Sequence, residues 1–318
     1  MRRTGFYGRA LPLIHSPTAR FGDPPPRWPK INAMASVVLG SQAIARGALT
    51  RGQLRWRYES IFPDVYVFRG TPPTLRTRTV GAWLWSRERG VITGRAAAAI
   101  HGAHWVAEDA PIELLWKSYD TPAGIIARDD RFENHDVVEI DAMAVATVER
   151  TAYDLGRHLS RATALIHLDA LARATGLAPE RVTPLIERYK GARGVRRLRT
   201  ALDLMDNGSQ SPKETLLRLL LIDAGFPRPQ TQIPVQDNRG EPFAYLDMGW
   251  EDPKIAVEYD GDQHRTDRSR YVWDERRLRR IRELGWLHVK VIAEDRRHDI
   301  IKRVQRAWAE REPGSMVV

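Results

Sequence analysis

The sequence predicts a mixed α/β protein, α+β in arrangement, with several small units strung along one chain. Three observations carry this. Segments that alternate like strands, such as 64–70 and 243–250, interleave with segments of helical period, such as 147–155 and 269–284. Turn residues punctuate them: Gly225 and Gly285 stand where helices end, and Glu251-Asp252-Pro253-Lys254 separates two alternating runs. The chain has 318 residues, 42% of them hydrophobic, enough for two or three domains with a core in each.

Composition narrows the function. The chain has no cysteine, which excludes disulfides and zinc-thiolate sites and fits a reducing cytoplasm. No apolar run approaches the ~18 residues of a membrane span. The net charge of +10 favours a polyanionic partner, although an arginine-rich composition arises in GC-rich bacteria without any binding role.

Residues 1–34 form a first segment. Its first 33 residues hold six prolines, six Lys/Arg and one acid, with no apolar period. This reads as a disordered basic tail or as a mis-started segment before Met34. A transit peptide fits less well, for want of an amphipathic stripe. Residues 35–75 read as a small winged-helix-like unit. Ser41 and Thr50 are N-caps, and the alternating 64–70 is a wing-like strand ending at Gly70. A helical cap on the next domain is the plainer alternative. Residues 76–206 are an α+β region with a helical connector. Helices are expected over 76–89 and 94–102, and strands over 111–116, 124–127 and 136–140. Thr147 starts a further helix, and 158–206 is helical and basic with breaks near Gly176 and 191–194. His101 and His104 have metal-like spacing but no acids nearby, and read as structural.

Asn207-Gly-Ser-Gln-Ser211 is the clearest linker, and 207–318 forms the last domain. Its expected order is helix 212–224, strands near 231–236, 243–250 and 255–260, helix 269–284, strand 286–292 and helix 295–309. If 251–254 is the hairpin loop, Trp250 pairs with Ile255 and Asp247 falls opposite Glu258. Leu246, Met248 and Trp250 then share an apolar face with Ile255, Val257 and Tyr259. Asp247, Glu258 and Asp260 share the other face. Like charges opposite each other destabilise a strand pair, so a cation is expected to offset them. Three oxygen-bearing side chains suit a hard divalent ion such as Mg²⁺.

Other residues surround this pair. Ser211, Pro212 and Glu214 read locally as a capping box. Gly261 permits a turn that would bring His264 near the acids, where a histidine could move protons. From Arg265 to Arg282 eight arginines face three acids, Asp267, Asp274 and Glu275. Tyr271, Leu278 and Ile281 form the inner stripe of that helix. Arg265, Arg268, Arg276, Arg279 and Arg280 on its cationic side are candidates for phosphate contacts, against the plainer reading of a solvated face. Asp274 lies on the inner stripe and needs a partner, for which Arg277 or Arg270 would serve.

These motifs, Ser211-Pro-Lys-Glu-Thr-Leu-Leu-Arg218, Leu246-Asp-Met-Gly-Trp250, Val257-Glu-Tyr-Asp-Gly-Asp-Gln-His264 and Asp274–Trp286, resemble endonuclease-like domains related to the very-short-patch repair endonuclease, within the PD-(D/E)XK superfamily. The resemblance covers roughly residues 207–310. It implies a restriction-endonuclease-like core, with Mg²⁺ or Mn²⁺ held by Asp247 and Glu258. It also implies catalytic roles for Glu214, Asp260 and His264. The superfamily's usual Glu-x-Lys reads Glu258-x-Asp260 here, a replacement that members of this branch share. Gln263, His264 or an arginine from the following helix could compensate, and Gln263, Asp274 and Arg277 are possible supporting residues. Residues 40–160 more distantly resemble the abortive-infection type IV antitoxin family, through Leu49–Leu54, Asp64–Gly70, Gly94–Ala103 and Thr147–Leu155. That likeness implies a winged helix and DNA-binding repression. Together they imply a cytoplasmic metal-dependent DNA endonuclease with an N-terminal targeting region, RNA staying open as a substrate. The alternative is an antitoxin-like regulator with an inactive nuclease domain.

Overall fold

The computed structural model describes residues 37–237, 239–260 and 268–311, with side chains from 274 onward in the last stretch. The chain opens with strand β1 (Val37–Leu39), helices α1 (Gly40–Ala45) and α2 (Arg51–Arg57), and strands β2 (Tyr58–Phe62) and β3 (Val65–Phe68). Thr50 and Gln53 cap α2 reciprocally. The strands form an antiparallel sheet in the order β1-β3-β2, where the sequence disclosed only β3.

Next come α3 (Leu75–Trp85), β4 (Val91–Thr93), α4 (Gly94–Ile100), β5 (Ile112–Leu115), β6 (Ile125–Arg128), β7 (Val137–Ile140), β8 (Met143–Ala146) and α5 (Val148–His158). The five strands form a mixed sheet ordered β6-β5-β4-β8-β7. Helix α3 stops short of the expected Arg89, because Arg87 and Glu88 take left-handed φ of 57° and 63°. One hydrophobic core joins Val65 and Val67 of the first sheet to Val80 and Leu84 of α3 and to Ile92 and Ile112 of the second. Helices α6 (Arg161–Thr175), α7 (Thr183–Arg188) and α8 (Val195–Leu204) pack on α5 around a second core that includes Leu155, Leu168 and Leu198. Gly176 ends α6 with a φ of 68°, as its position suggests.

The last unit runs α9 (Pro212–Asp223), β9 (Gln230–Gln236), β10 (Pro242–Trp250), β11 (Ile255–Tyr259), α10 (Arg268–Glu283), β12 (Leu287–Val291) and α11 (Arg297–Arg311). Strands β9, β10 and β11 form an antiparallel meander, and β12 joins β11 in parallel, giving the order β12-β11-β10-β9. Met248, Trp250, Ile255, Val257, Val289 and Val291 pack beneath Leu217 and Leu221 of α9 and Ile300 and Val304 of α11. Leu246 does not join them, contrary to the simple alternation. It packs with Ile233, Ala244, Ala256, Ile281 and Trp286 in a separate cluster under α10. Gln232 has a φ of 51°, and it falls between Ile233, paired with Leu246, and Thr231, paired with Met248. The register shift in this strand pair lies between Pro242 and Ala244.

The segment 207–211 does not behave as an open linker. Ser209 is buried, and a Cβ at Gly208 would come 2.0 Å from the Thr231 hydroxyl oxygen. Next to it, Arg218 of α9 forms a 2.7 Å ion pair with Asp169 of α6, both side chains only 1% exposed. Asp169 also accepts from the Thr215 hydroxyl and the Asp206 amide. Helix α9 is therefore keyed into the helical connector by a buried polar lock. Among the described residues no helix is long and apolar enough to cross a membrane.

Candidate functional site

The site is built by the β10–β11 hairpin. Its register pairs Trp250 with Ile255, Gly249 with Ala256 and Met248 with Val257, the pairing read from the sequence. Gly249 is needed here, since a Cβ would meet the Ile255 carbonyl oxygen at 2.1 Å. One step beyond the paired residues come Asp247 and Glu258. The Asp247 carboxylate accepts from the Tyr259 amide at 3.0 Å, so the side chain fastens the two strands where the backbone ladder ends.

Helix α9 brings the third acid. Ser211 Oγ accepts from the Glu214 amide, while the Glu214 carboxylate accepts from the Gln210 amide at 2.7 Å and from the Ser211 hydroxyl at 2.9 Å. Glu214 thus caps its helix and also faces the strands. Burial pushes its pKa up, the local donors and Arg173 only partly opposing this, and the charge of Glu258 adds to the rise. Asp247 is affected more. Burial, then the charges of Glu214 and Glu258, push it to about 8, so it holds a proton at neutral pH.

Glu258 goes the other way. Burial opposes its charge, but His288 and Arg277 hold its pKa below the usual range. Arg277 of α10 donates to Glu258 Oε1 at 2.5 Å and to the Tyr245 carbonyl at 2.9 Å. His288 of β12 bonds Glu258 Oε2. Arg277 is therefore committed to Glu258, and the side chain of Arg270, the other partner expected for Asp274, lies outside the described residues. No local sequence motif marks His288. Its signal was the alternation of Leu287–Val291, which puts His288 and Lys290 on one face, but the parallel pairing with β11 is not local information. Asp260, expected on the acidic face, is half-buried and forms an ion pair with Lys290.

The remaining predicted residues divide. Gln263, His264 and Arg265 lie outside the described residues, as does the side chain of Arg268. Asp274 is half-buried, and Arg276 and Arg279 are exposed on α10. Arg280 is exposed too, but it lies over the Phe243 ring at 4.2 Å and pairs with Asp237 at 3.6 Å. It is a stabilising contact at the sheet edge as much as a free cation.

A second charged cluster lies in the middle of the chain. Asp130, Asp154 and His158 are the described residues whose ligand atoms all fall within 4.8 Å of one another, closer than Glu214, Asp247 and Glu258 gather. A guanidinium already occupies that space. Arg157 Nη2 lies 2.5 Å from Asp130, 2.9 Å from the His158 ring nitrogen and 3.7 Å from Asp154. Arg150 adds bonds to Asp154 at 2.9 Å and Asp136 at 3.4 Å. The His158 hydrogen bond, with Arg157, holds Asp130 down at about 2 despite burial. The positive charge that a metal would bring is supplied here by arginine.

Two curated proteins of Mycobacterium tuberculosis are similar to this chain: uncharacterized protein MT2308 of strain CDC 1551 / Oshkosh and uncharacterized protein Rv2248 of strain H37Rv. Each is 31% identical over 149 residues, 47% of this chain and 55% of the relative. The chain thus spans about half the length of the curated relatives it matches. No family model and no solved structure matches.

Proposed function

We propose that the last unit is a metal-dependent nuclease of the restriction-endonuclease-like kind, hydrolysing phosphodiester bonds in DNA inside the cytoplasm. The observation that carries the reading is the gathering of Glu214, Asp247 and Glu258 from a helix N-terminus and two antiparallel strands, with Asp247 left uncompensated. The order helix, three-stranded meander, helix, strand, helix is the one expected from the sequence pattern, and the last strand adds in parallel.

The donor set fits a hard divalent cation. All three side chains offer oxygen, and the raised Asp247 marks a place where positive charge is missing. Asp247 and Glu258 would hold Mg²⁺ or Mn²⁺. The ion would supply activation of water and neutralise charge developing on phosphate. The chain's own residues do the rest. Arg277 and His288 fix the Glu258 carboxylate, and Ser211 and the Gln210 amide fix Glu214. The exposed Arg276 and Arg279 would hold the nucleic-acid backbone without reading bases. The N-terminal sheet and helices would add DNA contacts or target choice.

One observation favours the second reading, a DNA-binding antitoxin-like regulator with an inactive nuclease domain. Both Glu258 oxygens are already bonded, to Arg277 and His288. A working site must let a metal share that carboxylate. The test is incubation of the purified protein with plasmid, single-stranded DNA and RNA, with and without Mg²⁺ or Mn²⁺, beside Asp247→Ala. Metal-dependent cleavage lost in Asp247→Ala is the expected result. No cleavage of any substrate, with DNA binding retained, favours the regulator.

A further inference from the structure

An acidic site that takes a phosphodiester has an electrostatic difficulty. Glu214, Glu258 and Asp260 repel the phosphate, and Asp247 joins them once it loses its proton. The resemblance leaves position 260 without its lysine. Of the groups bound to these acids, Arg277 is locked between Glu258 and the Tyr245 carbonyl, and His288 between β12 and Glu258. Lys290 is placed differently. Strand β12 lies at the sheet edge, and its parallel register sets Lys290 directly beside Glu258. Its ammonium forms an ion pair with the Asp260 carboxylate. Lys290 is 51% exposed and Asp260 34%, so the pair sits at the mouth of the acidic face and not in its floor. The backbone beneath is fixed. The Asp260 amide donates to the Val291 carbonyl at 2.7 Å, and Arg303 donates to the Lys290 carbonyl at 2.8 Å.

We propose that Lys290 supplies from the neighbouring strand the positive charge that position 260 lacks, and that its ammonium holds a non-bridging oxygen of the bound phosphodiester. This rests on the nuclease reading for its catalytic consequence, but phosphate contact itself does not need that reading. The ion pair with Asp260 keeps the ammonium over the site, and its exposure leaves N–H donors for a ligand. In the hydrolysis, water oxygen bonds to phosphorus and the phosphorus–oxygen ester bond breaks. The attacking water releases one proton to solvent, and the departing sugar oxygen takes one up from solvent. Lys290 transfers none of these. It stabilises the charge that grows on the non-bridging oxygens in the transition state, where a pre-placed donor acts most strongly.

The experiment compares wild type with Lys290→Met, Lys290→Arg and Asp260→Asn/Lys290→Met in two assays. The first is single-turnover cleavage with Mg²⁺ or Mn²⁺, and the second is the salt dependence of duplex binding without metal. Lys290→Met is expected to slow cleavage about 100-fold and to lower the log–log salt slope by about 0.9, one phosphate contact. Lys290→Arg should recover most of the rate and the slope. Unchanged rate and slope in Lys290→Met overturn the proposal. So does full recovery in the double variant, because the loss then came only from an unmasked Asp260. If wild type cleaves nothing while Lys290→Met still lowers the slope, the nuclease reading fails and Lys290 stands as a phosphate contact.

Discussion

The cluster around Arg150 and Arg157 and the acidic face around Asp247 use the same residue types to different ends. In the first, two guanidiniums lie among Asp130, Asp136 and Asp154, and both arginine side chains are essentially buried. The rings of Tyr153 and Tyr189 flank them, with Arg157 over Tyr153 at 4.7 Å. Arg188 adds a third guanidinium, 3.1 Å from Asp136, so the three carboxylates meet three arginines. In the second, Glu258 is compensated by Arg277 and His288 and Asp260 by Lys290, while Asp247 is forced toward its neutral form. A network whose carboxylates are matched by the protein's own cations belongs to the fold. An open one is unfavourable until a cation or proton arrives, and so is a candidate for chemistry.

The comparison breaks most readily at the arginines. Arg157→Leu leaves Asp130 and Asp154 without their partner and should destabilise the protein by about 3–5 kcal/mol, as loss of one member of a buried pair does. Urea denaturation measures it. A loss below about 1 kcal/mol would mean that the network is not structural. Asp169→Ala should cost a similar amount through Arg218, and it should expose 207–211 to limited proteolysis.

The acidic face should respond in the opposite direction. Asp247 has a raised folded-state pKa, so between the ordinary aspartate range and about 8 the folded protein holds a proton that the unfolded chain has lost. Its contribution to stability is then full at low pH and falls as pH rises across that window. Asp247→Asn should abolish this slope. It should raise stability by about 1–2 kcal/mol at pH 8 and change it little near pH 4. Melting curves over that range in chelator decide the point, and a variant less stable than wild type at pH 8 sinks the idea of an uncompensated acid.

A smaller effect separates the arginines of α10. Arg276→Gln and Arg279→Gln should each lower the salt slope of duplex binding by about 0.9. Arg280→Gln should change the slope less, since Asp237 and Phe243 already occupy that side chain. Equal effects at all three positions would show that the Asp237 pair opens on binding.

How much of this was legible in the sequence follows from how local each feature is. The hairpin register follows from one polar break and the alternation around it, and these local features place Asp247 opposite Glu258. Glu214 was legible as a cap because capping is local, but its approach to Asp247 depends on where α9 packs. His288 and the Lys290–Asp260 pair depend on β12 returning parallel to β11 after a whole helix, which no local pattern encodes. Strands β4 and β8 were missed for a related reason. Val91-Ile-Thr and Met143-Ala-Val-Ala are short, and most of their residues are buried, so they show little alternation. The segment 207–211 has the composition of a linker, yet Asp169 and Arg218 pull the elements on either side of it together.

Metal binding at Asp247 is the central claim, and a thermal-shift titration of Mg²⁺ and Mn²⁺ against wild type and Asp247→Ala tests it most directly. The account predicts that the wild-type melting temperature rises with metal concentration, by an amount equivalent to about 2.7 kcal/mol at 100 times the dissociation constant. The Asp247→Ala curve should stay flat and begin no lower than the metal-free wild type. Equal shifts in both proteins, or none in either, would contradict it.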